Sequence, residues 1–429
     1  MKKYWIGCIF LLFLSCETPK EFIEESETLT VKRQPAEYDK QDAVWLIWSP
    51  VDHKAGLSNE SVQLKLIQAV APYTKVIVTA ANDALFASAK AMIPSELMEQ
   101  GKVELIRLPS EELWVRDMGP NFVELNNGEK AVVDFGFNAW GYTPSDDMDE
   151  ATIRMEKYDE VVAEHFGLPL ISTDLISEGG NREVNGEGTL MLVETVEQGR
   201  NPDMTKAQME SEFQRVLGVK NIIWLKEGLY EDDHTFSGTL TLEDGTQGYT
   251  VVTTNGHIDE FARFVNDSTV LLAEVPEEDL NDPIAQENYR RMEENYQILQ
   301  KATDQDGNPL NIIRMPLPKL ITTELKPGDS VYDYISTLEY EDGSIFPVGE
   351  PVTAIAAASY LNFLISDKVV IGQMYWKEGM DESIRERDNQ VKEILEDLFP
   401  DRKVILLDAL AINLGGGGIH CITMQEPSI

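Results

Sequence analysis

Thiols are scarce in this chain, which has three cysteines among its 429 residues. Cys8 and Cys16 lie in or next to an apolar N-terminal run, so Cys421 is the remaining thiol of the chain body. One cysteine cannot form an intrachain disulfide, and it is too few for a cysteine-based metal site. Four glycines lie just before it, and glycines let a backbone or a ligand come close to the sulfur. Cys421 is therefore a candidate nucleophile, with a small buried hydrophobe as the alternative.

Basic residues are also few. The chain has 36 lysines and arginines against 75 aspartates and glutamates, which gives a net charge of −39. This balance argues against binding the phosphates of a nucleic acid, and it favours the approach of cationic ligands. No glycine loop has the spacing that cradles nucleotide phosphates. We therefore expect neither a nucleic-acid partner nor a bound nucleotide.

No stretch of the sequence reaches the length of about 20 apolar residues that a transmembrane helix needs. The N-terminus has a charged start and then an apolar run from Tyr4 to Leu14, so residues 1–15 predict a signal peptide. Phe13-Leu14-Ser15-Cys16 resembles the lipobox of a bacterial lipoprotein, which implies a lipid on Cys16. An ordinary secretory signal is the alternative. Residues 16–34 are polar and acidic and predict a flexible tether, so we expect a protein anchored by lipid in a bacterial cell envelope.

Short apolar runs, most of them β-branched, recur after Pro35 and predict buried strands. They are residues 43–48, 75–80, 103–108, 131–135, 189–193, 270–273, 368–371 and 404–407. Helical patterns lie between them. One begins with a capping box at Thr205 and Gln208 and ends at Gly218, and another stops at Pro400. The alternation of strands and helices predicts an α/β protein.

The region after the tether shows no linker, so we predict that residues 35–429 form a single catalytic domain. Two segments stand out within it. Residues 235–254 alternate around a turn at Asp244-Gly245 and predict an inserted hairpin. Residues 322–349 are acidic and predict a loop.

Four local clusters carry further candidate residues. They are Trp114 and Asp117 within 114–120, Trp140 within 134–141, Glu178 within 178–181, and His257 and Asp259 within 255–261. Each has a plainer interpretation, such as an ion-paired aspartate on a turn or a packed aromatic loop. In extended backbone His257 and Asp259 would face the same way, whereas His420 would point away from Cys421. Metal ligation is possible, but only five histidines are present and none lies in a chelating motif.

Together these residue types suit one kind of chemistry. Carboxylates bind a planar cation, and guanidinium matches their geometry best. A thiolate can then attack the central carbon of the guanidinium group. A histidine can protonate the departing amine and afterwards activate water.

The clusters resemble the guanidine-modifying superfamily, specifically the group of agmatine deiminases and bacterial peptidylarginine deiminases. The resemblance runs from about Pro35 to Pro427. It is carried by Pro35-Ala36-Glu37 with 44–48, by 114–120, 137–141, 178–181 and 256–264, by Ser359-Tyr360-Leu361-Asn362-Phe363 and by 416–423. It implies a five-bladed α/β propeller with pseudo-fivefold symmetry, with the active site in the central channel.

The resemblance also implies roles for individual residues. Cys421 would be the nucleophile and His257 the general acid and base. Asp117 and Asp259 would bind the guanidinium group, and Glu178 would support His257 or the substrate. Trp114, and with it Trp140, would line the substrate pocket. No metal and no organic cofactor are implied.

The substrate tail is left open between alternatives. Agmatine is the first choice, because the loop 137–141 offers no arginine to meet a substrate carboxylate. Peptidylarginine or free arginine is the second choice, because the peptidyl enzymes are the exported ones. An amidinotransferase and a non-catalytic surface binding protein are weaker alternatives, the latter because a binding protein has no need for the whole set of residues.

Overall fold

The computed structural model describes residues 29–110, 112–144 and 147–429. The predicted signal peptide, the predicted lipidation site Cys16 and most of the predicted tether lie outside these residues. The strands are β1 Val31–Arg33, β2 Gln41–Ile47, β3 Lys75–Ala80, β4 Val103–Arg107, β5 Asn121–Leu125, β6 Lys130–Gly136, β7 Leu170–Ile176, β8 Glu183–Val184, β9 Thr189–Val193, β10 Asn221–Leu225, β11 Leu240–Thr241, β12 Gln247–Thr250, β13 Ala262–Asn266, β14 Thr269–Glu274, β15 Asn311–Pro316, β16 Thr322–Leu325, β17 Val352–Ile355, β18 Leu364–Ile365, β19 Val369–Met374, β20 Lys403–Asp408 and β21 Met424–Pro427. The helices are α1 Asn59–Val70, α2 Asp83–Met92, α3 Ser95–Glu99, α4 Val115–Met118, α5 Glu150–Glu156, α6 Tyr158–Phe166, α7 Glu194–Arg200, α8 Lys206–Leu217, α9 Pro283–Leu299, α10 Ser330–Ile335, α11 Glu382–Leu398 and α12 Leu410–Asn413.

The described strands form six sheets, and five of these contain the same three-stranded unit. In each unit an antiparallel pair is followed by a parallel pair. The units are β5-β6-β7, β8-β9-β10, β13-β14-β15, β18-β19-β20 and β21-β2-β3. Between the two parallel strands the chain always passes through at least one helix, as a parallel crossover requires. The α/β prediction is confirmed, and five repeats agree with the five blades that the resemblance implies.

The fifth unit joins the two ends of the described chain. The C-terminal strand β21 pairs antiparallel with β2, which in turn pairs parallel with β3. In every unit a short non-strand segment precedes the first strand. Asp117 precedes β5, Glu178 precedes β8, Asp259 precedes β13 and Cys421 precedes β21. The repeat therefore brings residues that are far apart in sequence to equivalent positions.

The local sequence patterns explain the helices and strands that were predicted. Each of the eight apolar runs overlaps a strand, namely β2, β3, β4, β6, β9, β14, β19 and β20. Helix α8 begins with the reciprocal capping box of Thr205 and Gln208 and ends at Gly218, which has a φ of 68°. Helix α11 begins at its N-cap Asp381 and ends before Pro400. These signals are local, so the sequence alone could identify them.

The prediction of a loop at residues 322–349 is wrong over two stretches. Strand β16 pairs with β17 there, and helix α10 buries Val331, Tyr332 and Ile335. The predicted tether is also wrong at its end, since β1 pairs with β5. These elements have only three to six residues. Such short elements are stabilised by the neighbours they pack against rather than by a sequence pattern.

The predicted hairpin at residues 235–254 is present as β11 and β12, which pair antiparallel. Its environment was not predicted. Strand β12 also pairs parallel with β17, so the hairpin becomes part of a sixth sheet in the order β11-β12-β17-β16. This sheet is additional to the five repeated units, and residues 252–254, shortly after β12, line the pocket of the candidate site.

The apolar core lies between the sheets and the helices that cross over them. Its largest cluster includes Phe264 and Leu272 of neighbouring strands, Met292 of α9 and Val391 of α11. Full burial of one such side chain contributes about 1.5–3 kcal/mol. Among the described residues, none of the helices combines the length and the apolar character needed to cross a bilayer.

Candidate active site

Cys421 is held by a glycine turn rather than by a strand. The turn follows α12 and runs over residues 415–418, and β21 begins only at Met424. A Cβ atom on Gly417 would lie 2.8 Å from Cys421 Sγ and 2.9 Å from the ring of Trp114. Gly416 has a φ of 106°, and a Cβ there would collide with the carbonyl oxygen of Val252. The glycines are therefore needed for the close packing around the thiol.

Asp117 lies in the short helix α4 and is fixed by two donors. Its Oδ1 accepts a hydrogen bond from the Gly180 backbone N–H at 2.9 Å, and its Oδ2 accepts one from Trp140 Nε1 at 2.8 Å. Burial raises the pKa of Asp117, and the charge of His257 opposes that rise. Trp140 thus contacts one of the predicted substrate-binding carboxylates directly.

His257 is fully buried between two carboxylates. Its Nε2 lies 3.3 Å from Glu178 Oε2, and its Nδ1 lies 3.6 Å from Asp117 Oδ1. Burial lowers the pKa of His257, but Asp117 and Glu178 more than offset it, so the pKa is raised. Nδ1 has no hydrogen-bond partner among the described residues. This nitrogen is therefore the one that is free to exchange a proton with a bound molecule.

Glu178 is held in its ionised form. Burial would raise its pKa, but Arg200 and His257 outweigh burial and lower the pKa to about 2. Arg200 Nε donates to Glu178 Oε1 at 2.7 Å, and the second guanidinium nitrogen of Arg200 donates to the Thr254 carbonyl oxygen at 2.8 Å. A charged, hydrogen-bonded carboxylate next to Nε2 favours the protonated form of His257.

Gly180 lies at the centre of the charged groups. A Cβ atom built on it would lie 2.5 Å from His257 Nδ1, 2.7 Å from Asp117 Oδ1 and 3.3 Å from Asp259 Oδ2. The predicted acid and base and both predicted guanidinium ligands therefore converge on one position that carries no side chain. The structure brings these three residues together as the sequence analysis expected.

The backbone around His257 and Asp259 is not the extended strand that the sequence analysis considered. Residues Ile258–Glu260 form a turn of 3₁₀ helix. Asp259 Oδ2 lies 2.6 Å from His420 Nδ1, and His420 Nε2 lies 2.7 Å from Glu37 Oε2. Burial alone would raise the pKa of Asp259, but the hydrogen bond and charge of His420 lower it. Asp259 Oδ1 has no hydrogen-bond partner among the described residues, which leaves it available to a cation.

Several residues around the site were not predicted. His420 and Glu37 hold Asp259, and Arg200 holds Glu178. Glu37 and His420 both lie in motifs that carry the resemblance to the family. Burial would raise the pKa of Glu37, but Arg263 and His420 outweigh burial and lower it. Arg263 Nη2 donates to Glu37 Oε2 at 2.6 Å. His420 is also adjacent to the thiol in sequence, but a strand at this position would have pointed it away from Cys421. The structure has turns at residues 414–416 and 419–422 instead of a strand, so His420 lies next to the site.

The thiol of Cys421 is buried beside two carboxyl groups. Its Sγ lies 3.7 Å from Asp259 Oδ2 and 3.8 Å from Glu260 Oε1. Burial raises the pKa of Cys421 well above its usual range, and the charges of Asp259, Glu260 and Asp117 raise it further. The resting sulfur is therefore a thiol, and a cation bound beside it would favour the thiolate.

Two sets of described residues bring three possible metal-ligand atoms together. They are Glu37, Glu183 and His420, and Asp259, Glu260 and Cys421. The first set is already bound by Arg263, which contacts both glutamates. The second set contains the candidate nucleophile. The absence of a metal cofactor stays a prediction.

A narrow pocket of about 40 Å³ leads to the thiol. It is lined by Trp114, Asp117, Trp140, Val252, Thr253, Thr254, Gly415, Gly416 and Cys421. Outside it lies a second pocket of about 450 Å³ that shares Trp114, Trp140, Val252 and Gly415 with the inner one. The predicted aromatic residues therefore stand between a small reactive chamber and a larger entrance.

Known proteins are similar to this chain in sequence. The family sequence model of the Porphyromonas-type peptidyl-arginine deiminases matches residues 33–239 and 235–427 of this chain. An agmatine deiminase of Pseudomonas aeruginosa is 29% identical over 407 residues, which cover 92% of this chain and 95% of that protein. A Latilactobacillus sakei protein, provisionally named an agmatine deiminase, is 32% identical over 410 residues that cover 92% and 96%.

A solved structure agrees with the fold. The agmatine deiminase of Enterococcus faecalis is similar with a TM-score of 0.71 and 27% sequence identity, and the match covers 92% of this chain and 96% of that one. All the segments that form the candidate site, from residue 114 to residue 421, lie within the matched ranges. The chain belongs to the Porphyromonas-type peptidyl-arginine deiminase family.

Proposed function

We propose that this chain hydrolyses the guanidino group of a small cationic compound, with agmatine as the first choice and N-carbamoylputrescine and ammonia as the products. The observation that carries the proposal is a pair of unpartnered buried atoms in the candidate site. His257 Nδ1 and Asp259 Oδ1 have no hydrogen-bond partner among the described residues. Buried polar atoms are rarely left unpaired unless a ligand completes them. A guanidinium group supplies N–H donors for the carboxylate and a carbon for the sulfur.

The first half of the reaction forms the bond between carbon and sulfur. A guanidinium group bound by Asp117 and Asp259 offsets the negative charge around Cys421, and the thiol releases its proton to water. The thiolate attacks the central carbon and gives a neutral tetrahedral intermediate. His257 donates its proton to one amino group. The C–N bond breaks, ammonia leaves, and a positively charged thiouronium group remains on the sulfur.

The second half of the reaction consumes water. The neutral His257 takes a proton from a water molecule as its oxygen attacks the thiouronium carbon. The second tetrahedral intermediate breaks its C–S bond and returns the electron pair to sulfur. The carbamoyl product loses one proton, and Cys421 and His257 regain their starting states. Glu178 keeps Nε2 of His257 occupied, so that Nδ1 performs both proton transfers.

The outer pocket supports a substrate tail without a carboxylate. Glu112 and Asp149 line it, and no lysine or arginine is among the described residues that do so. His53 also lines it, and burial lowers the pKa of His53 to about 4. His53 is therefore neutral at pH 7 and cannot bind a carboxylate as a cation. Such a surface favours the terminal ammonium of agmatine over the α-carboxylate of arginine.

Two observations favour the second candidate, deimination of peptidylarginine. The outer pocket has a volume of about 450 Å³, which leaves room for more than a short amine. The matching family model is named for peptidyl-arginine deiminases. This alternative makes citrulline residues by the same chemistry at Cys421.

The test is a comparison of ammonia release from agmatine, free arginine and a peptide that ends in arginine. We expect the highest kcat/KM for agmatine, and no turnover of any substrate by the Cys421→Ala variant. Faster citrulline formation from the peptide than carbamoylputrescine formation from agmatine would reverse the ranking. Binding of all three compounds without product would support the non-catalytic alternative.

We further propose that the chain is a lipoprotein of the cell envelope, which rests on residues 1–16 alone. Lipidation would put a diacylglycerol group on Cys16 after removal of residues 1–15. Mass spectrometry of the N-terminal peptide from the membrane fraction measures this directly. An unmodified N-terminus, or a Cys16→Ser variant that stays in the membrane fraction, would contradict the proposal.

A further inference from the structure

The inserted hairpin at residues 235–254 has no part in the mechanism above, although its end lies at the site. Residues 252–254 line the inner pocket. Val252 and Trp140 each line both the inner and the outer pocket. Trp140 belongs to the loop 137–142, which follows β6 and is distant from the hairpin in sequence. Contacts between the hairpin and this loop therefore bear on the shape of the substrate pocket.

The loop has a left-handed backbone over three successive residues. The φ angles are 52° at Ala139, 57° at Trp140 and 82° at Gly141. Glycine adopts such angles freely, whereas the Cβ of alanine or tryptophan then crowds the backbone. Residues other than glycine keep this conformation only where the surrounding structure holds them in it. The turn at Ala139 and Trp140 must therefore be stabilised by contacts from outside the loop.

Two contacts hold Trp140 itself, one at its ring and one at its backbone. Its Nε1 donates to Asp117 Oδ2 at 2.8 Å. Its carbonyl oxygen accepts a hydrogen bond from Asn255 Nδ2 at 3.0 Å. A carbonyl oxygen can only accept, so the NH₂ group of the Asn255 amide must face it. Asn255 has a φ of 65°, which asparagine adopts more readily than most residues with a side chain.

A second connection joins the loop to the hairpin at Tyr142. The Tyr142 hydroxyl donates a hydrogen bond to the Thr253 carbonyl oxygen. The Tyr142 ring packs edge-on against Phe236, with 5.0 Å between the ring centres. Thr235 Oγ1 lies 3.1 Å from Thr253 Oγ1, which joins the start of the hairpin segment to its end. Both ends of the inserted segment thus contact the loop that carries Trp140.

We propose that the inserted hairpin shapes the substrate pocket, and that Asn255, which follows it directly, is a positioning residue that holds Trp140 against Asp117. The inference rests on the proposed function, in which Asp117 binds the guanidinium group and Trp140 lines the pocket. The bond from Asn255 offsets the strain at Ala139 and Trp140. Without this bond the turn relaxes and the indole N–H leaves Asp117. Binding of the guanidinium group then weakens, because Asp117 has lost one of its two donors.

The first test removes the Asn255 amide and keeps the backbone. In Asn255→Gly the left-handed φ is retained without strain, and only the side-chain donor is lost. We expect KM for agmatine to rise about 10-fold, as for the loss of one neutral hydrogen bond, and to rise by more than kcat falls. Asn255→Asp is nearly isosteric, but its carboxylate cannot donate to the Trp140 carbonyl oxygen. It should raise KM at least as far.

The second test relieves the strain that Asn255 offsets. Ala139→Gly lets residue 139 adopt the left-handed conformation freely, so adding it to Asn255→Gly should restore most of the parental KM. A residue that only stabilised the fold would not be rescued at position 139.

The position of Trp140 is measured without substrate by fluorine NMR of the full chain labelled with 5-fluorotryptophan. The chain has seven tryptophans, and Trp140→Phe identifies the signal of Trp140. That signal should shift in Asn255→Gly and return towards its parental position in the double variant.

The control is Asn127→Gly. Asn127 lies in the turn between β5 and β6, and its amide donates to Glu129 Oε2. This variant should keep the parental KM and the parental Trp140 signal. A parental Trp140 signal in both Asn255 variants, an equal change in Asn127→Gly, or no rescue by Ala139→Gly would overturn the proposal. If the parent itself releases no ammonia from agmatine, the proposed function fails, whereas the fluorine signal still decides whether Asn255 holds Trp140.

Discussion

A single methyl group at position 180 should disable the site while the fold is retained. Gly180 does not have a positive φ, so its backbone tolerates alanine. The added Cβ would lie 2.5 Å from His257 Nδ1 and 2.7 Å from Asp117 Oδ1, whereas ordinary contacts begin near 3.4 Å. One of these groups must therefore move by about 0.9 Å. A displacement of about 1 Å in a catalytic group costs about 100-fold in rate.

The assay compares kcat, KM and thermal unfolding of Gly180→Ala with those of Gly199→Ala. Gly199 lies in helix α7, and a Cβ there would meet no atom within 4 Å. We expect kcat to fall about 100-fold in Gly180→Ala, and we expect parental kcat and a slightly higher Tm in Gly199→Ala, because alanine favours a helix. Parental kinetics of Gly180→Ala would show that His257 and Asp117 are not held where the mechanism requires them.

Two further predictions concern the charged groups. Asp117→Asn and Asp259→Asn should each cost about 2–5 kcal/mol in transition-state stabilisation, measured from kcat/KM, and Asp117→Asn should be the more damaging because both of its oxygens accept bonds from N–H donors. Normal kinetics in both variants would refute their role as guanidinium ligands. Glu178→Gln removes one of the charges that raise the pKa of His257. Since His257 acts as an acid below its pKa, activity that is lost as pH rises should be lost at a lower pH in this variant, and a pH profile of kcat with an unmoved alkaline limb would contradict the assignment.

The loops were predicted less well than the strands and helices. The capping box of α8 and the apolar runs are local patterns, so their prediction needed no tertiary information. Strand β16 forms because β17 lies beside it, and helix α10 is held by the residues it buries. Their sequences alone resemble an acidic loop, since the partners that stabilise them are distant in the chain.

The sequence by itself indicated the family and the candidate site residues. One thiol in a glycine turn, a histidine, and carboxylates in motifs of a known family named Cys421, His257, Asp117, Asp259 and Glu178, and the chain's belonging to the family is confirmed. Only the tertiary structure decided how these residues are held. His420 and Glu37 position Asp259, Arg200 keeps Glu178 charged, and Asn362 faces the sulfur. These contacts join residues 22 to 383 positions apart in the chain. No periodicity or spacing records such pairs, because they form only when the chain is folded.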